Sequence, residues 1–275
     1  MIGRPGDPSR RLLRGVRAIT FDFGNTLVPV GRDGLEDVTQ RTAAEASATL
    51  RLATPAAFRA AWVEERDRQF REEVPAFREV DLHQRVIRIL ARFRGMQPPA
   101  RAERWEDVAA AELADPAEVE AIVGAYSRAF VELVPPAEDA HLVLADLAGR
   151  GFQVAILSNW PLAATIDRYA AAVGWDRLLA GIFVSQRIGT IKPHPAIFAH
   201  AATALGRAPG ELLHVGDDWA ADVVGAREAG WRVAYLVGHQ ADTPLPTSSR
   251  GDGIVPDLEL DRLADLPALL ADPRS

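Results

Sequence analysis

The sequence contains no cysteine, only two methionines and, among 31 positively charged residues, a single lysine, Lys192. The missing thiols exclude disulfides, zinc–thiolate centres and a cysteine nucleophile, and leave the redox compartment unread. No apolar run approaches membrane-spanning length, and the arginine-rich first 17 residues lack the apolar segment of a secretory signal. A cytoplasmic location without a membrane partner is the expectation. A net charge of −7 and a pI near 5.4 provide no broad basic surface for nucleic acid, so a small-molecule substrate is the expected partner. Oligomeric state is not written in these features. The lone lysine is informative because a drift toward arginine would have removed it too, unless position 192 needs a compact point charge. One lysine left by chance is the competing explanation.

With 275 residues and 48% hydrophobic content, the chain can form an α/β core plus a smaller second domain. Residues 1–15, with Gly3, Pro5, Gly6 and Pro8, read as a poorly ordered arm. Val16, Ala18, Ile19 and Phe21 then form an apolar run that ends in Asp22 and breaks at Gly24-Asn25, the pattern of an interior parallel strand. Leu27 to Val30 and the turn Gly31 to Gly34 suggest a short flap. Helical periodicity alone covers 35–134, with Thr54-Pro55 and Asp115-Pro116 as N-cap and first-turn pairs. This predicts an inserted all-helical domain over 35–134, with 16–34 and 135–275 forming the α/β core. From Pro135 onward strands and helices alternate. Such βα repeats imply a doubly wound parallel sheet. Residues 238–253 are polar and read as mobile, with a short strand and helix after them.

Polar groups recur at strand ends on one edge of that sheet: Asp22 and Thr26, Ser158 and Asn159, Lys192 nearby, then Asp217, Asp218 and Asp222. Any one of these is an ordinary cap or turn residue, and Asp22 alone could serve an Asx turn. As a group they suit phosphoryl transfer. A carboxylate can take up a phosphoryl group, hydroxyls and backbone N–H groups can hold its oxygens, and a lysine can offset its charge. Two carboxylates placed together need a cation between them, and Mg²⁺ suits an all-oxygen set.

The segments FDFGNTL, ILSN, IKPHPAIF and HVGDDWAADVVGAREAG occur in the order and spacing of the four motifs of the haloacid dehalogenase-like (HAD) hydrolases. The chain resembles that superfamily over about 16–237, and the helical insert resembles its cap placed after the first motif. The resemblance implies a Rossmann-like core and an Mg²⁺-dependent phosphatase acting on a small phosphorylated metabolite. It implies Asp22 as nucleophile, Lys192 as charge stabiliser, and Thr26, Ser158 and Asn159 with Lys192 as substrate-binding groups. The metal would fall to Asp22, the Gly24 carbonyl, Asp217 and Asp222, with Asp222 acting from behind and Asp218 as an alternative.

One position departs from the pattern. Two residues after the nucleophile, the superfamily's phosphatases carry an aspartate that protonates the leaving oxygen; here it is Gly24. General acid–base catalysis contributes typically ~10²–10⁴ in rate, so unactivated alkyl phosphates should suffer most. Two other readings are compatible with Gly24: a dehalogenase-type hydrolase using an Asp22 ester, and a ligand-binding homologue with impaired turnover. Dehalogenases resemble the chain poorly at Asp217, Asp218 and Asp222. In the insert, Trp62, Arg66, Arg85, Arg88 and Trp105 are conspicuous, although a helical arginine is more often solvated or ion-paired. His194 and His214 read as structural.

Overall fold

The structure is a computed structural model and describes residues 13–98, 106–238, 242–251 and 253–270. Trp105 and most of the expected N-terminal arm lie outside the described residues. Leu13 is already buried in the main apolar cluster, so packing begins before residue 16.

Among the described residues six strands form one sheet: β1 (Ala18–Phe21), β2 (Gln153–Ser158), β3 (Leu179–Val184), β4 (Leu212–Gly216), β5 (Arg232–Leu236) and β6 (Leu258–Leu260). Their order is β3-β2-β1-β4-β5-β6 and every pairing is parallel. All four residues of β1 are buried, which explains why three are apolar and the fourth, Thr20, has its hydroxyl hydrogen-bonded inside. The strand order reverses between β1 and β4. A doubly wound sheet opens its crevice at that reversal, beyond the carboxyl ends of the strands. Asp22 directly follows β1 and Asp217 directly follows β4, so the topology delivers both carboxylates to this crevice.

Between β1 and β2 the chain first forms α1 (Arg32–Leu50), α2 (Pro55–Glu72), α3 (Leu82–Phe93), α4 (Asp107–Leu113) and α5 (Pro116–Leu133). Thr54 and Asp115 cap α2 and α5 as expected, accepting from the Ala57 and Ala117 amides at 3.2 and 2.8 Å. Two local expectations change. Arg32 to Gly34 are the first turn of α1 instead of a separate turn, because Gly31 takes the N-cap position. Leu27, Val28 and Val30 are buried and do not form a projecting flap; the Asn25 side chain accepts from the Val30 amide at 3.1 Å and closes the loop on itself. Asn25 itself sits in the left-handed region at φ 58, a conformation asparagine tolerates better than most residues.

After β2 come α7 (Ala163–Ala172), and, past β3, α8 (Pro195–Leu205), while α6 (Ala140–Gly149) precedes β2. After β4 the chain forms a π-helical turn, Trp219–Val224, and then a short α-helix, Gly225–Glu228. Wide π turns concentrate at functional sites because they redirect a side chain without ending the helix. Asp222 is the buried acid on this one.

Residues 242–251 do not form the free polar loop the composition suggests. The Ser248 amide and hydroxyl both donate to Asp218, each at 2.7 Å, and Leu245 packs against the main apolar cluster. The physical reason is that one carboxylate and one apolar side chain suffice to anchor an otherwise polar segment.

Candidate active site

At the crevice, Lys192 Nζ lies 3.1 Å from Asp22 Oδ1 and 2.5 Å from Asp222 Oδ1. Lys192 is almost wholly buried, at 2% exposure, so its charge is balanced by these two carboxylates and not by water. Burial works against its charged form, but Asp22 and Asp222 outweigh that and hold its pKa above the usual lysine range. Burial pushes the Asp22 carboxyl up, with Lys192 pulling it back down and Asp222 pushing it further up. Asp222 is also buried, yet the Lys192 charge and the His214 contact hold it well below the usual carboxylate range. The Lys192–Asp222 pair is therefore a fixed internal charge pair beside a less settled Asp22.

The mount for Lys192 comes from two directions. Asn159 accepts from the Lys192 amide at 2.7 Å and donates to its carbonyl at 3.0 Å, so both polar ends of the amide hold the lysine backbone. From below, His214 Nε2 lies 3.0 Å from Asp222 Oδ1 and Nδ1 lies 2.8 Å from the Thr20 hydroxyl. An ionised carboxylate can only accept, so Nε2 carries the proton and Nδ1 accepts from Thr20. Burial and the nearby Lys192 push the His214 pKa down, consistent with a neutral ring. His214 is thus part of the site's foundation. Sequence reading set it aside, and its signal was a titratable residue inside an otherwise apolar strand.

Gly216 is required here by space: a Cβ on it would lie 2.2 Å from the Asp222 carboxyl carbon. Asp22, Asp217 and Asp222 present carboxylate oxygens all within 4.8 Å of one another. Asp218 is occupied differently, accepting from Ala221 N and from Ser248, as the N-cap of the π turn. Burial and the neighbouring Asp222 push its carboxyl pKa up.

The expected substrate groups divide. Lys192 and Asn159 line the cavity in front of Asp22, but the Asn159 side chain is committed to the lysine backbone. Thr26 is not among the residues lining that cavity, and its hydroxyl donates to Asp217 Oδ1 at 3.0 Å. Ser158 is also buried and outside the cavity lining; its hydroxyl lies against Asp22 and helps pull that carboxyl's pKa down. Gly24 lines the cavity, and a Cβ there would meet Leu245 at 3.2 Å and Trp160 at 3.3 Å.

The cavity has a volume of about 290 Å³ and is roofed by the helical insert through Trp62, Arg66, Phe70, Arg85 and Tyr126. The segment joining α2 to α3 is fastened to the sheet edge. The Leu82 amide donates to Pro161 O at 3.0 Å, Ser185 donates to Glu79, and Gln186 reaches Asp81 at 3.4 Å. Of the conspicuous arginines, Arg88 is ion-paired to Glu65 at 3.1 Å, while Arg66 and Arg85 face the cavity.

This geometry accompanies a family match. The model for haloacid dehalogenase-like hydrolases matches residues 16–230, and the chain belongs to that family. A curated relative, the glyceraldehyde 3-phosphate phosphatase of Methanopyrus kandleri, is 28% identical over 251 residues, covering 91% of this chain and 95% of the relative. Among solved structures, a 2-haloacid dehalogenase from Pseudomonas syringae superposes with a TM-score of 0.63 at 20% identity, covering 92% of this chain and 97% of the other. An HAD phosphatase from Thermococcus onnurineus gives 0.58 at 18% identity, with 91% and 96% covered. The structural likenesses establish the fold. The chain is an HAD-superfamily hydrolase with an α/β, Rossmann-like core.

Proposed function

We propose that the chain is an Mg²⁺-dependent phosphatase acting on a small phosphorylated molecule, with Asp22 as nucleophile and the helical layer over 35–134 acting as a cap on the core of 16–34 and 135–275. The observation that carries this reading is the convergence of Asp22, Lys192 and Asp217 on one cavity at the sheet edge, with Asp222 behind them.

An oxygen of Asp22 attacks phosphorus while the bond to the leaving oxygen breaks and that oxygen takes the electron pair. Water then cleaves the aspartyl phosphate, releasing inorganic phosphate and restoring the carboxylate. Lys192 offsets the charge carried by the phosphoryl oxygens, and Asp222 with Asn159 keeps the lysine aimed. The Ser158 hydroxyl, buried beside the Asp22 carboxyl, would turn to a phosphoryl oxygen in this reading.

The donor set fits Mg²⁺, since the three clustered carboxylates are hard oxygen ligands of the type that ion prefers. Asp22 and Asp217 would hold it, with the Gly24 carbonyl as a further oxygen. Asp222 is already accepting from Lys192, His214 and the Asp218 amide, and so would balance charge from behind. Bound there, the ion supplies the positive charge that lets two carboxylates share the site with a phosphate oxygen.

Gly24 provides no acid for the leaving group, which favours substrates whose leaving oxygen departs without protonation, such as acyl and aryl phosphates. The test is phosphate release from aryl and acyl phosphates with Mg²⁺, with a chelator, and in Asp22→Asn. Turnover is expected with Mg²⁺ alone and a fall to background in the other two cases. Chloride release from haloacids without metal, or full activity in Asp22→Asn, would overturn the proposal.

A further inference from the structure

Arg85 is 4% exposed, yet no carboxylate lies within ion-pairing distance of it among the described residues. Its neighbours differ sharply. Arg66 pairs with Asp67, Arg68 with Glu65 and Glu72, Arg88 with Glu65, and Arg92 with Glu64. Burying a charge without a partner is costly, so a retained, unpaired, buried guanidinium requires an explanation.

Its side chain is held deliberately. Arg85 Nε donates to Gln69 Oε1 at 2.9 Å, and Gln69 in turn donates to the Asp81 carbonyl at 2.8 Å. The guanidinium carbon lies 5.1 Å from the centre of the Trp62 ring. Those contacts fix its direction but leave the terminal nitrogens without a protein acceptor among the described residues. Arg85, Trp62 and Tyr126 all line the cavity that also holds Asp22 and Lys192. Burial lowers the Arg85 pKa to about 10, which still leaves it charged at neutral pH. The Tyr126 hydroxyl has no hydrogen-bond partner among the described residues, and burial raises its pKa to about 12, so it remains a donor. A fixed cation and a phenol donor on one wall, with apolar Trp62 beside them, form a site for an anion.

We propose that this wall is a subsite for a second anionic group, a carboxylate or a second phosphate, carried by the substrate in addition to the phosphoryl group that reaches Asp22. The proposal rests on the phosphatase reading only for the identity of that first group. The counter-charge that Arg85 lacks among the described residues is then supplied by the ligand, and the substrate class is a small phosphate ester that carries a second anionic group and spans one cavity.

Equilibrium binding tests this without turnover. Calorimetry on the full chain with Mg²⁺ compares meta- and para-carboxyphenylphosphonates with the matching carboxamides, and with the corresponding phenylene bisphosphonates. The charged member is expected to bind at least about tenfold tighter than its amide, as a charge-assisted contact to a buried guanidinium should. In Arg85→Gln that ratio is expected to fall to about one. Whether the carboxylate or the bisphosphonate binds more tightly identifies the source of the anion. Should Arg85→Gln fail to fold, Arg85→Lys is expected to lower the ratio at least about threefold, because it loses the planar fork but keeps the charge. Equal binding of acid and amide by the wild type, an unchanged ratio in the variants, or no binding of any charged member would overturn the proposal. A complete lack of phosphate release would sink the phosphatase reading while leaving this binding ratio intact, so the two failures are separable.

Discussion

Gly24 sits where a larger side chain meets resistance, with Leu245 and Trp160 closing on the position a Cβ would take. The gap left by the missing acid is therefore filled with apolar groups. Restoring an aspartate by Gly24→Asp alone would press it against Leu245, so its gain on alkyl phosphates is expected to stay below about tenfold. Adding Leu245→Ala makes room, and the double variant is expected to gain up to ~10², the lower end of what general acid catalysis contributes. Phosphate release from matched alkyl and aryl phosphates measures this, and an equal gain from the single variant would show that Leu245 does not obstruct. The departure at Gly24 was legible in the sequence, but its filling was not. Leu245 belongs to a segment whose composition reads as a free loop, and nothing local indicates that it folds over the first strand's turn.

Helix α3 shows how one element sets one wall of the site. Asp81 caps it, accepting from the His83 and Gln84 amides at 2.8 and 3.2 Å, and Gln69 holds the Asp81 carbonyl. His83 closes the same end, with Nε2 3.0 Å from Glu120 and Nδ1 3.6 Å from Asp81. The Asp81 hydrogen bond, set against burial and aided by the Asp81 and Glu120 charges, raises the His83 pKa above its ordinary value of 6.5. A group whose folded pKa exceeds its unfolded one stabilises fully below the unfolded value and loses that contribution as pH rises through the folded one. Thermal melts are therefore expected to show stability falling as pH rises above the ordinary histidine value of 6.5, an effect that shrinks in His83→Gln. An identical pH dependence in both proteins would rule the linkage out. The Thr54 and Asp115 caps were readable from their Pro partners. Asp81 is an equally local cap but has no proline after it to mark the position, and the Gln69 bond to its carbonyl, made from α2, is not a local property.

Across the whole molecule, the insert and the sheet share one apolar cluster. A chain of rings runs from Trp62 through Tyr126, Phe130 and Trp160 to Phe23, with successive centroids 5.6, 6.3, 5.1 and 5.2 Å apart. Tyr169 on α7 meets Phe23 at 5.3 Å and donates its hydroxyl to the Val134 carbonyl at 2.8 Å, where the insert returns to the core. Tyr169→Phe keeps the ring but leaves that buried carbonyl unpaired, so a loss of ~1–3 kcal/mol is expected in denaturant unfolding. A loss near zero would mean that water replaces the hydroxyl.

The sequence by itself determined the βα order, the helical insert, the strand-end positions of Asp22, Ser158 and Asp217 and the nearby place of Lys192, because apolar periodicity, caps and motif spacing are local properties. Only the tertiary structure decided what those residues touch. Thr26 serves Asp217, Asn159 serves the Lys192 backbone, His214 supports Asp222, and Arg85 faces the cavity without a counter-charge among the described residues. Each of these depends on side chains from separate elements meeting in space, where burial and the supply of partners set the energy, and no window of sequence carries that information.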